Sequence, residues 1–390
     1  MFTAYIEDMF KTCLIIALLL GRSDGFQKSN WSPSDLIVKP ENALTTFSSA
    51  SPSSSASNEN IASIEDDFFE LSGNRIKRLG VGTWAWGDQL FWGYNSSMDE
   101  SLQAAYDESI AQGVTLFDTA ELYGFGRSEL LLSRFSRQNK DKIKPYMATK
   151  FAPYPFRFHE SSVLEACTSS MDRLGVDQID LYQIHWPMFF DEKYWKGLAE
   201  CYHKGYVKSV GVSNYGPNQL KACHKALSDL GVPLSSNQIQ YSLLCRQQEN
   251  NGALAMAKSL GVVTLAYSPL AQGILTDKFS EADMGKDSRK GPRSSGWRAG
   301  GDLAITLPKV RGLLSVMREI SAAREKTPAQ IALNWCICKG TVPIPGARNA
   351  KQAKDNAGSL GWRLTGDEMY KLDVAARASG VNLPLQLQRN

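Results

Sequence analysis

Four ionisable side chains in this 390-residue chain sit where chemistry could be done, each near the end of a short apolar or β-branched run. Asp118 and Tyr123 lie in Phe117-Asp118-Thr119-Ala120-Glu121-Leu122-Tyr123-Gly124. Lys150 closes Ala148-Thr149-Lys150, and His185 follows Gln183-Ile184 before Trp186-Pro187. Together they suit carbonyl reduction. A phenol of pKa about 10 is a poor acid at neutral pH. A nearby ammonium favours the phenolate and lowers that pKa, while a carboxylate paired with the ammonium keeps it charged and aimed. An imidazole can donate a hydrogen bond to the carbonyl oxygen and orient it. Taken singly, such residues are more often a helix cap, a packing ring or a structural histidine. Their joint position at strand ends carries the argument.

The elements that must position them recur with a regular beat. Strand candidates are Gly80–Thr83, Thr115–Asp118, Tyr146–Lys150, Ile179–His185, Val207–Val212, Ser236–Gln240, Val262–Tyr267 and Thr341–Ile344. Helix candidates lie near 99–111, 127–137, 160–174, 192–204, 217–229, 247–259, 309–324, 328–339 and 349–357, with apolar residues at i, i+3, i+4 spacing such as Leu102, Ala105, Tyr106 and Ile110. Strand–helix alternation over about 300 residues predicts an α/β fold of the closed (β/α)8 TIM barrel type. A short hairpin turning at Ser72-Gly73-Asn74 precedes it, and a long loop follows the seventh strand. In such a barrel, polar residues at the C-terminal strand ends face the active site.

A doubly wound dinucleotide fold is the alternative. Gly80-Val-Gly82-Thr-Trp-Ala85 matches its G-x-G-x-x-A pattern, but the glycines sit inside the strand and no helix start follows. Tyr146-Met-Ala-Thr-Lys150 matches the Tyr-x-x-x-Lys of short-chain dehydrogenases. That spacing unites the side chains only on a helix; on a strand they stand about 13 Å apart.

Composition excludes other classes. Lys plus Arg is 43 against 40 for Asp plus Glu, net +3, which gives no footprint for nucleic acid. The 4 histidines have no metal-ligand spacing, so no metal is expected. The 7 cysteines form no disulfide framework; Cys336-x-Cys338 could be a redox switch, but buried structural thiols are the plainer reading. No apolar run is long enough to span a membrane.

Residues 1–64 differ from the rest and are read as a targeting presequence with a Ser-rich segment lacking anything to bury, leaving 65–390 for the barrel. Cys13–Leu20 has the length of a secretory h-region, although Glu7 and Asp8 outweigh Lys11 before it. Phe26 and the Ser-rich, acid-poor stretch after it resemble the bipartite presequences of complex plastids. Plastid import is the expectation; a plain secretory signal, or an N-terminal tail on a cytoplasmic protein, is the alternative.

The motifs FDTAELYG (117–124), ATK (148–150), LYQIHWP (181–187), VGVSNYG (210–216), QIQYSLL (238–244), AYSPLAQGILT (266–276) and PIPGARNAKQAKDN (343–356) closely resemble the aldo-keto reductases over residues 68–375. GTWAWGDQLFWGY (82–94), SMDESL (97–102) and NWCICKGTVPIPG (334–346) are most similar to the plant plastid branch, which includes pyridoxal reductases. The resemblance implies reduction of a small-molecule aldehyde or ketone by NADPH, with Tyr123 the general acid, Lys150 and Asp118 tuning it, and His185 orienting the carbonyl. It implies that Ser213, Asn214 and Gln238 hold the nicotinamide carboxamide and that Tyr267 stacks on the ring. Ser268, Leu270, Gln272 and Gly273 would wrap the pyrophosphate, with Lys278 as a contact. Ala347, Arg348, Gln352 and Asn356 would meet the adenosine end.

Many members of that family carry Lys after the last strand's Pro and Arg further on, where this chain has Gly346 and Gln352; Arg348 remains to pair with a 2′-phosphate. Trp86, Trp92, Phe156 and Trp186 are expected to line an apolar pocket and Arg157 to meet an anionic substrate group, against the plainer reading of loop packing. The loop at 276–308 is read as a flap over the ligand or as a solvated insertion. A competing function is an NADPH-binding regulatory or redox-sensing subunit like the potassium-channel β subunits, which turnover of any small aldehyde would exclude. The sequence fixes no oligomeric state.

Overall fold

Alternation along each strand explains both the core and the site. In the computed structural model, which describes residues 67–139, 143–188, 191–279 and 303–383, eight parallel strands follow one another around a barrel. They are β3 (Gly80–Gly82), β4 (Leu116–Asp118), β5 (Tyr146–Phe151), β6 (Leu181–Ile184), β7 (Val210–Ser213), β8 (Leu234–Gln240), β9 (Val263–Tyr267) and β10 (Val342–Pro343). Successive side chains on a strand face opposite ways. Leu116, Ala148, Leu181, Leu265 and Val342 therefore pack together inside the barrel, while Phe117, Met147, Phe151, Tyr182 and Ile184 pack outward beneath the helices. Two residues past each inner apolar residue, the same face carries Asp118, Lys150 and Tyr267.

The barrel closes where Gly82 N–H donates to the Pro345 carbonyl at 2.9 Å and Gly82 bridges Gly346. A Cβ on Gly82 would lie 2.9 Å from the Ile344 carbonyl oxygen, so this seam requires glycine. The opposite end is plugged by the expected hairpin, β1 (Phe68–Leu71) and β2 (Asn74–Lys77). Its turn residues Ser72 and Gly73 both have positive φ, as a tight two-residue hairpin turn needs. Phe69, Leu71 and Ile76 join the inner barrel residues, so this end of the barrel is filled by side chains.

Twelve α-helices are found among the described residues: α1 (Gln89–Trp92), α2 (Asp99–Ala111), α3 (Arg127–Gln138), α4 (Glu160–Leu174), α5 (Asp191–His203), α6 (Pro217–Asp229), α7 (Gln247–Asn250), α8 (Ala253–Ser259), α9 (Leu303–Arg324), α10 (Pro328–Cys338), α11 (Ala350–Ala357) and α12 (Gly366–Ala378). The buried face of α4 is Val163, Ala166, Cys167, Ser170 and Leu174, the set its spacing predicts. Helix α1 was not among the expected helices, and three further details differ from expectation. The helix expected at 247–259 is broken into α7 and α8 by Gly252 at φ 83°. The one expected from 309 begins at Leu303 and carries Pro308 within it. Helix α12 was not anticipated, although Thr365 and Glu368 form a reciprocal capping box at its start.

No described helix is long and apolar enough to cross a membrane, and no described group of His, Cys, Asp or Glu could hold a metal. Cys336 is buried and Cys338 largely so, on a helix of the wall. The presequence reading of residues 1–64 and most of the loop at 276–308 fall outside the described residues.

Candidate active site

The four residues named from strand ends converge at the open rim. Lys150, fully buried on β5, donates from Nζ to Asp118 Oδ2 at 2.6 Å and to the Thr119 carbonyl at 2.7 Å. Its third direction points at the Tyr123 hydroxyl, 3.4 Å away. The His185 ring stands edge-on to the Tyr123 ring at 5.6 Å. Strands across the barrel hold Asp118 from its other oxygen: Gln238 Nε2 on β8 donates to Oδ1 at 2.7 Å and Gln183 Nε2 on β6 lies 3.4 Å from it. Gln183 was not anticipated, although its place two residues before His185 on one strand face was readable.

Local backbone sets Tyr123. After β4 the chain turns through a 3-10 segment at Tyr123–Gly126, in which Gly124 has φ 57°. A Cβ there would run into the Gly87 carbonyl oxygen, so the backbone behind Tyr123 rests directly on the loop that follows β3. A buried hydroxyl cluster secures the same junction. Thr83 and Thr119 both reach Ser128 Oγ, at 2.8 and 2.9 Å, at the start of α3.

Electrostatics divide the roles. Burial first, and then the Asp118 charge, hold the Tyr123 phenol well above the ordinary tyrosine value. The expected lowering by Lys150 is thus not met. The ammonium lies closer to Asp118 than to Tyr123, and a phenolate here would be both desolvated and near a carboxylate. Burial also pulls Lys150 below its usual value despite Asp118. His185 falls well below the usual histidine range through burial and then the Lys150 charge, so its imidazole is neutral. Its Nδ1 has no hydrogen-bond partner among the described residues.

On the neighbouring strands, Ser213 donates to the Gln238 carbonyl at 2.9 Å, and Asn214 Nδ2 reaches Ser213 Oγ at 3.0 Å and the His185 carbonyl at 3.2 Å. Asn214 sits at φ 64°, and its Oδ1 accepts from the Tyr267 hydroxyl at 2.9 Å. The loop after β9 then bends sharply. Ser268, Ala271 and Gln272 have positive φ, as does Gly273 at 96°, around Leu270, whose carbonyl accepts from Gly273 N–H. Successive amides in such turned backbone form a concavity suited to anions. Both side-chain amide atoms of Gln272 are buried there without a partner among the described residues. A Cβ on Gly273 would lie 2.5 Å from Lys278 Nζ, which puts that ammonium over the same turn.

After β10, Gln352 Oε1 accepts from Arg348 N–H at 2.8 Å and Asn356 Nδ2 lies 3.4 Å from the Gly346 carbonyl, so α11 braces this loop. The Arg348 side chain makes no ion pair with a described carboxylate. Ala347 is buried, and its carbonyl accepts from the Trp86 indole at 2.8 Å.

That bond corrects one expectation. Trp86 is 0% exposed and packs against Phe117 and Phe135, inside the wall rather than at the rim, because the chain turns after Thr83 and carries it inward. Trp84, two residues earlier, is the ring that faces the site, 6.1 Å from Tyr123 and nearly parallel to it. Trp92 stands edge-on to Trp84 at 5.6 Å. On the other side Trp186 lies 4.9 Å from His185 and 6.3 Å from Tyr154, on which the exposed Phe156 stacks at 5.4 Å. The aromatic rim thus runs without a gap from Trp92 through Trp84, Tyr123, His185, Trp186 and Tyr154 to Phe156.

Arg157 is already engaged within the protein. Its guanidinium is forked onto Glu121, with Nη1 and Nη2 on the two carboxylate oxygens, and donates to the Ala152 carbonyl between the rings of Phe151 and Tyr154. It is a strut between two rim loops, with its charge already matched. Trp84 and Glu121 lie within the quoted motifs GTWAWGDQLFWGY and FDTAELYG, but neither carried a sequence signal of its own.

Residues 78–377 match the Aldo/keto reductase family, and the chain belongs to it. It is 43% identical over 317 residues to a chloroplastic pyridoxal reductase of Arabidopsis thaliana, covering 78% of this chain and 84% of that protein. It is 26% identical to the aldo-keto reductase yakc [NADP(+)] of Schizosaccharomyces pombe, over 70% of this chain and 81% of that one. Among solved structures, the thermostable aldo-keto reductase Tm1743 in complex with the inhibitor epalrestat superposes with a TM-score of 0.63 at 26% identity, covering 79% of this chain and 99% of the other.

Proposed function

We propose that this reductase uses NADPH to convert an aldehyde or ketone to the alcohol, with Tyr123 giving the proton. The observation that carries the reading is the position of the Lys150 ammonium between Asp118 and the Tyr123 hydroxyl, with a neutral imidazole against the phenol.

The residues present fit the dinucleotide. The turned backbone at Ser268–Gly273, the unpartnered Gln272 amide and the Lys278 ammonium suit a pyrophosphate, and Arg348 suits a 2′-phosphate. Tyr267, fixed by Asn214, offers a ring for stacking; Ser213, Asn214 and Gln238 offer polar atoms for the carboxamide, and Gln352 and Asn356 brace the adenosine end. The yeast relative is named for NADP(+), which supports the same choice. When bound, NADPH supplies the hydride.

The protein's own groups handle the proton. Tyr123 is a phenol at neutral pH because burial keeps it protonated, so it holds a proton to give. As it gives that proton to the carbonyl oxygen, the phenolate that forms faces Lys150. An ammonium at 3.4 Å is worth most at that moment and little before it, which is how a site favours the transition state over the ground state. Asp118 and the Thr119 carbonyl keep that ammonium charged and aimed. His185, neutral, donates one hydrogen bond to the same oxygen and sets which lone pair meets the phenol. The aromatic rim excludes water from the reacting carbon.

The name of the Arabidopsis relative suggests pyridoxal as the carbonyl and a plastid as the compartment, with residues 1–64 as the presequence. Loss of NADPH absorbance with a panel of aldehydes, ketones and pyridoxal tests the activity. A chain that binds NADPH yet turns over none of them is a binding subunit instead. Fusion of residues 1–64 to a fluorescent reporter tests the address.

A further inference from the structure

Behind the reacting groups, the outer face of β5 meets a second ion pair, whose carboxylate is fully buried. Side chains alternate along β5, so Lys150 points into the barrel while Thr149 points out toward α3. There the Thr149 hydroxyl donates to Glu129 Oε1 at 2.6 Å, and Arg173 Nε of α4 donates to Glu129 Oε2 at 2.5 Å. Glu129 is 0% exposed, and Arg173 Nη2 also donates to Ser170 Oγ at 3.0 Å. Burial lifts the Glu129 carboxyl above its ordinary value, with the Arg173 charge opposing. A carboxylate this deep is kept only when its oxygens are matched. The same pair reaches the turn that bears Tyr123. That turn runs directly into α3, whose first three residues are Arg127, Ser128 and Glu129. A Cβ on Gly126 would lie 2.7 Å from Arg173 Cδ, so the Arg173 stem packs against the end of the turn. One side of this link therefore holds the residue before Lys150, and the other holds the segment after Tyr123.

We propose that Glu129 and Thr149 are positioning residues of this reductase: their buried bond, braced by Arg173, sets how far the Lys150 ammonium stands from the Tyr123 hydroxyl. This rests on the reading of Tyr123 as proton donor and deepens it. Lys150 and Tyr123 belong to successive strand–helix units, so their separation depends on bonds between β5 and α3. The Thr149–Glu129 bond is one of these, a single residue from Lys150. With it in place the ammonium waits 3.4 Å from the hydroxyl. Without it, β5 is free to settle away from α3, and the phenolate that forms is held less well. The charges bearing on Lys150 are those of Asp118 and Glu129, both of which oppose the lowering by burial. Tyr123 faces Lys150, His185, Asp118, Tyr267 and Asp88.

The test compares Thr149→Val, which keeps the side chain's shape and removes the hydroxyl, with Thr149→Ser, which keeps the hydroxyl. In Thr149→Val, kcat for reduction of para-nitrobenzaldehyde by NADPH falls about tenfold, while KM and NADPH affinity by fluorescence titration stay within about twofold. The alkaline limb of alcohol oxidation moves to higher pH, because a phenolate farther from the ammonium forms less readily. Thr149→Ser restores both. Parallel losses of kcat and NADPH affinity, an unmoved limb, or a serine variant no better than valine overturns the proposal and leaves the pair a brace of the wall. Should Thr149→Val fail to fold, Glu129→Asp takes its place. It keeps the charge beside Arg173 and draws the carboxylate back from Thr149, so the same selective loss is expected, and an unaltered kcat overturns the proposal. A wild type that binds NADPH and turns over no carbonyl would instead strike the reductase reading. Crystal structures of wild type and Thr149→Val then decide the positioning role: a longer Lys150–Tyr123 distance in the variant supports it, and an unchanged one overturns it.

Discussion

Lys150 Nζ lies 3.4 Å from the Tyr123 hydroxyl while gripping Asp118 at 2.6 Å. The shorter bond fixes the ammonium, and the longer one is left to tighten as negative charge develops on the phenol. A pair arranged in this order stabilises the product of proton transfer more than its start.

Tyr123→Phe removes the transferable proton and leaves the ring to pack on Trp84 and His185. NADPH turnover is expected to fall by about two to four orders of magnitude, with NADPH affinity by fluorescence titration nearly unchanged. A mutant with wild-type turnover would remove Tyr123 from its role.

The pH profile follows from the two displaced groups. Tyr123 titrates above the ordinary tyrosine value, so the phenol is present throughout the neutral range and is lost only in strong alkali. Carbonyl reduction is therefore expected to be flat through neutrality and to fall only above pH ~10, while alcohol oxidation, which needs the phenolate, rises with pH. Because His185 lies well below the usual histidine range, no limb is expected near pH 6.5. A kcat/KM limb there would mean that His185 titrates in the working enzyme.

Arg348→Ala tests the adenosine end. The side chain is free of described carboxylates, so its removal is expected to weaken NADPH about tenfold while leaving NADH nearly unchanged. Equal losses measured for the two cofactors would put recognition of the 2′-phosphate elsewhere.

Arg157→Ala addresses the Arg157–Glu121 strut. It strands the Glu121 carboxylate, only 9% exposed, and is expected to cost about 2 kcal/mol of stability by urea denaturation. Because Arg157 is spent on Glu121, preference among anionic and neutral aldehydes is expected to stay put. A selective loss for anions without loss of stability would restore Arg157 as a substrate contact.

The barrel was legible because period-two alternation and helical spacing agree along most of the chain: the expected bounds of α2, α4 and α6 coincide with the observed ones. The place of Asp118, Lys150 and His185 at the C-terminal ends of strands was readable in the same way. What escaped was set by turns and long-range partners. Trp84 and Trp86 are two residues apart, and only the tight turn after Thr83 decides which one faces the ligand. Arg157 reads as a free cation until Glu121, 36 residues away, is seen beside it. The direction of the Tyr123 shift also escaped, because desolvation is a property of the assembled rim. Helix α12 could have been read from Thr365-Gly-Asp-Glu368, a capping signature that precedes an amphipathic run.

The indole N–H of Trp86 on the Ala347 carbonyl bolts the loop after the first barrel strand to the loop after the last. One of these carries Trp84; the other carries Arg348. A lesion at this buried bolt would loosen both at once, so a Trp86 variant would imitate a double mutant, dulling nucleotide discrimination and carbonyl selectivity together without touching either ligand.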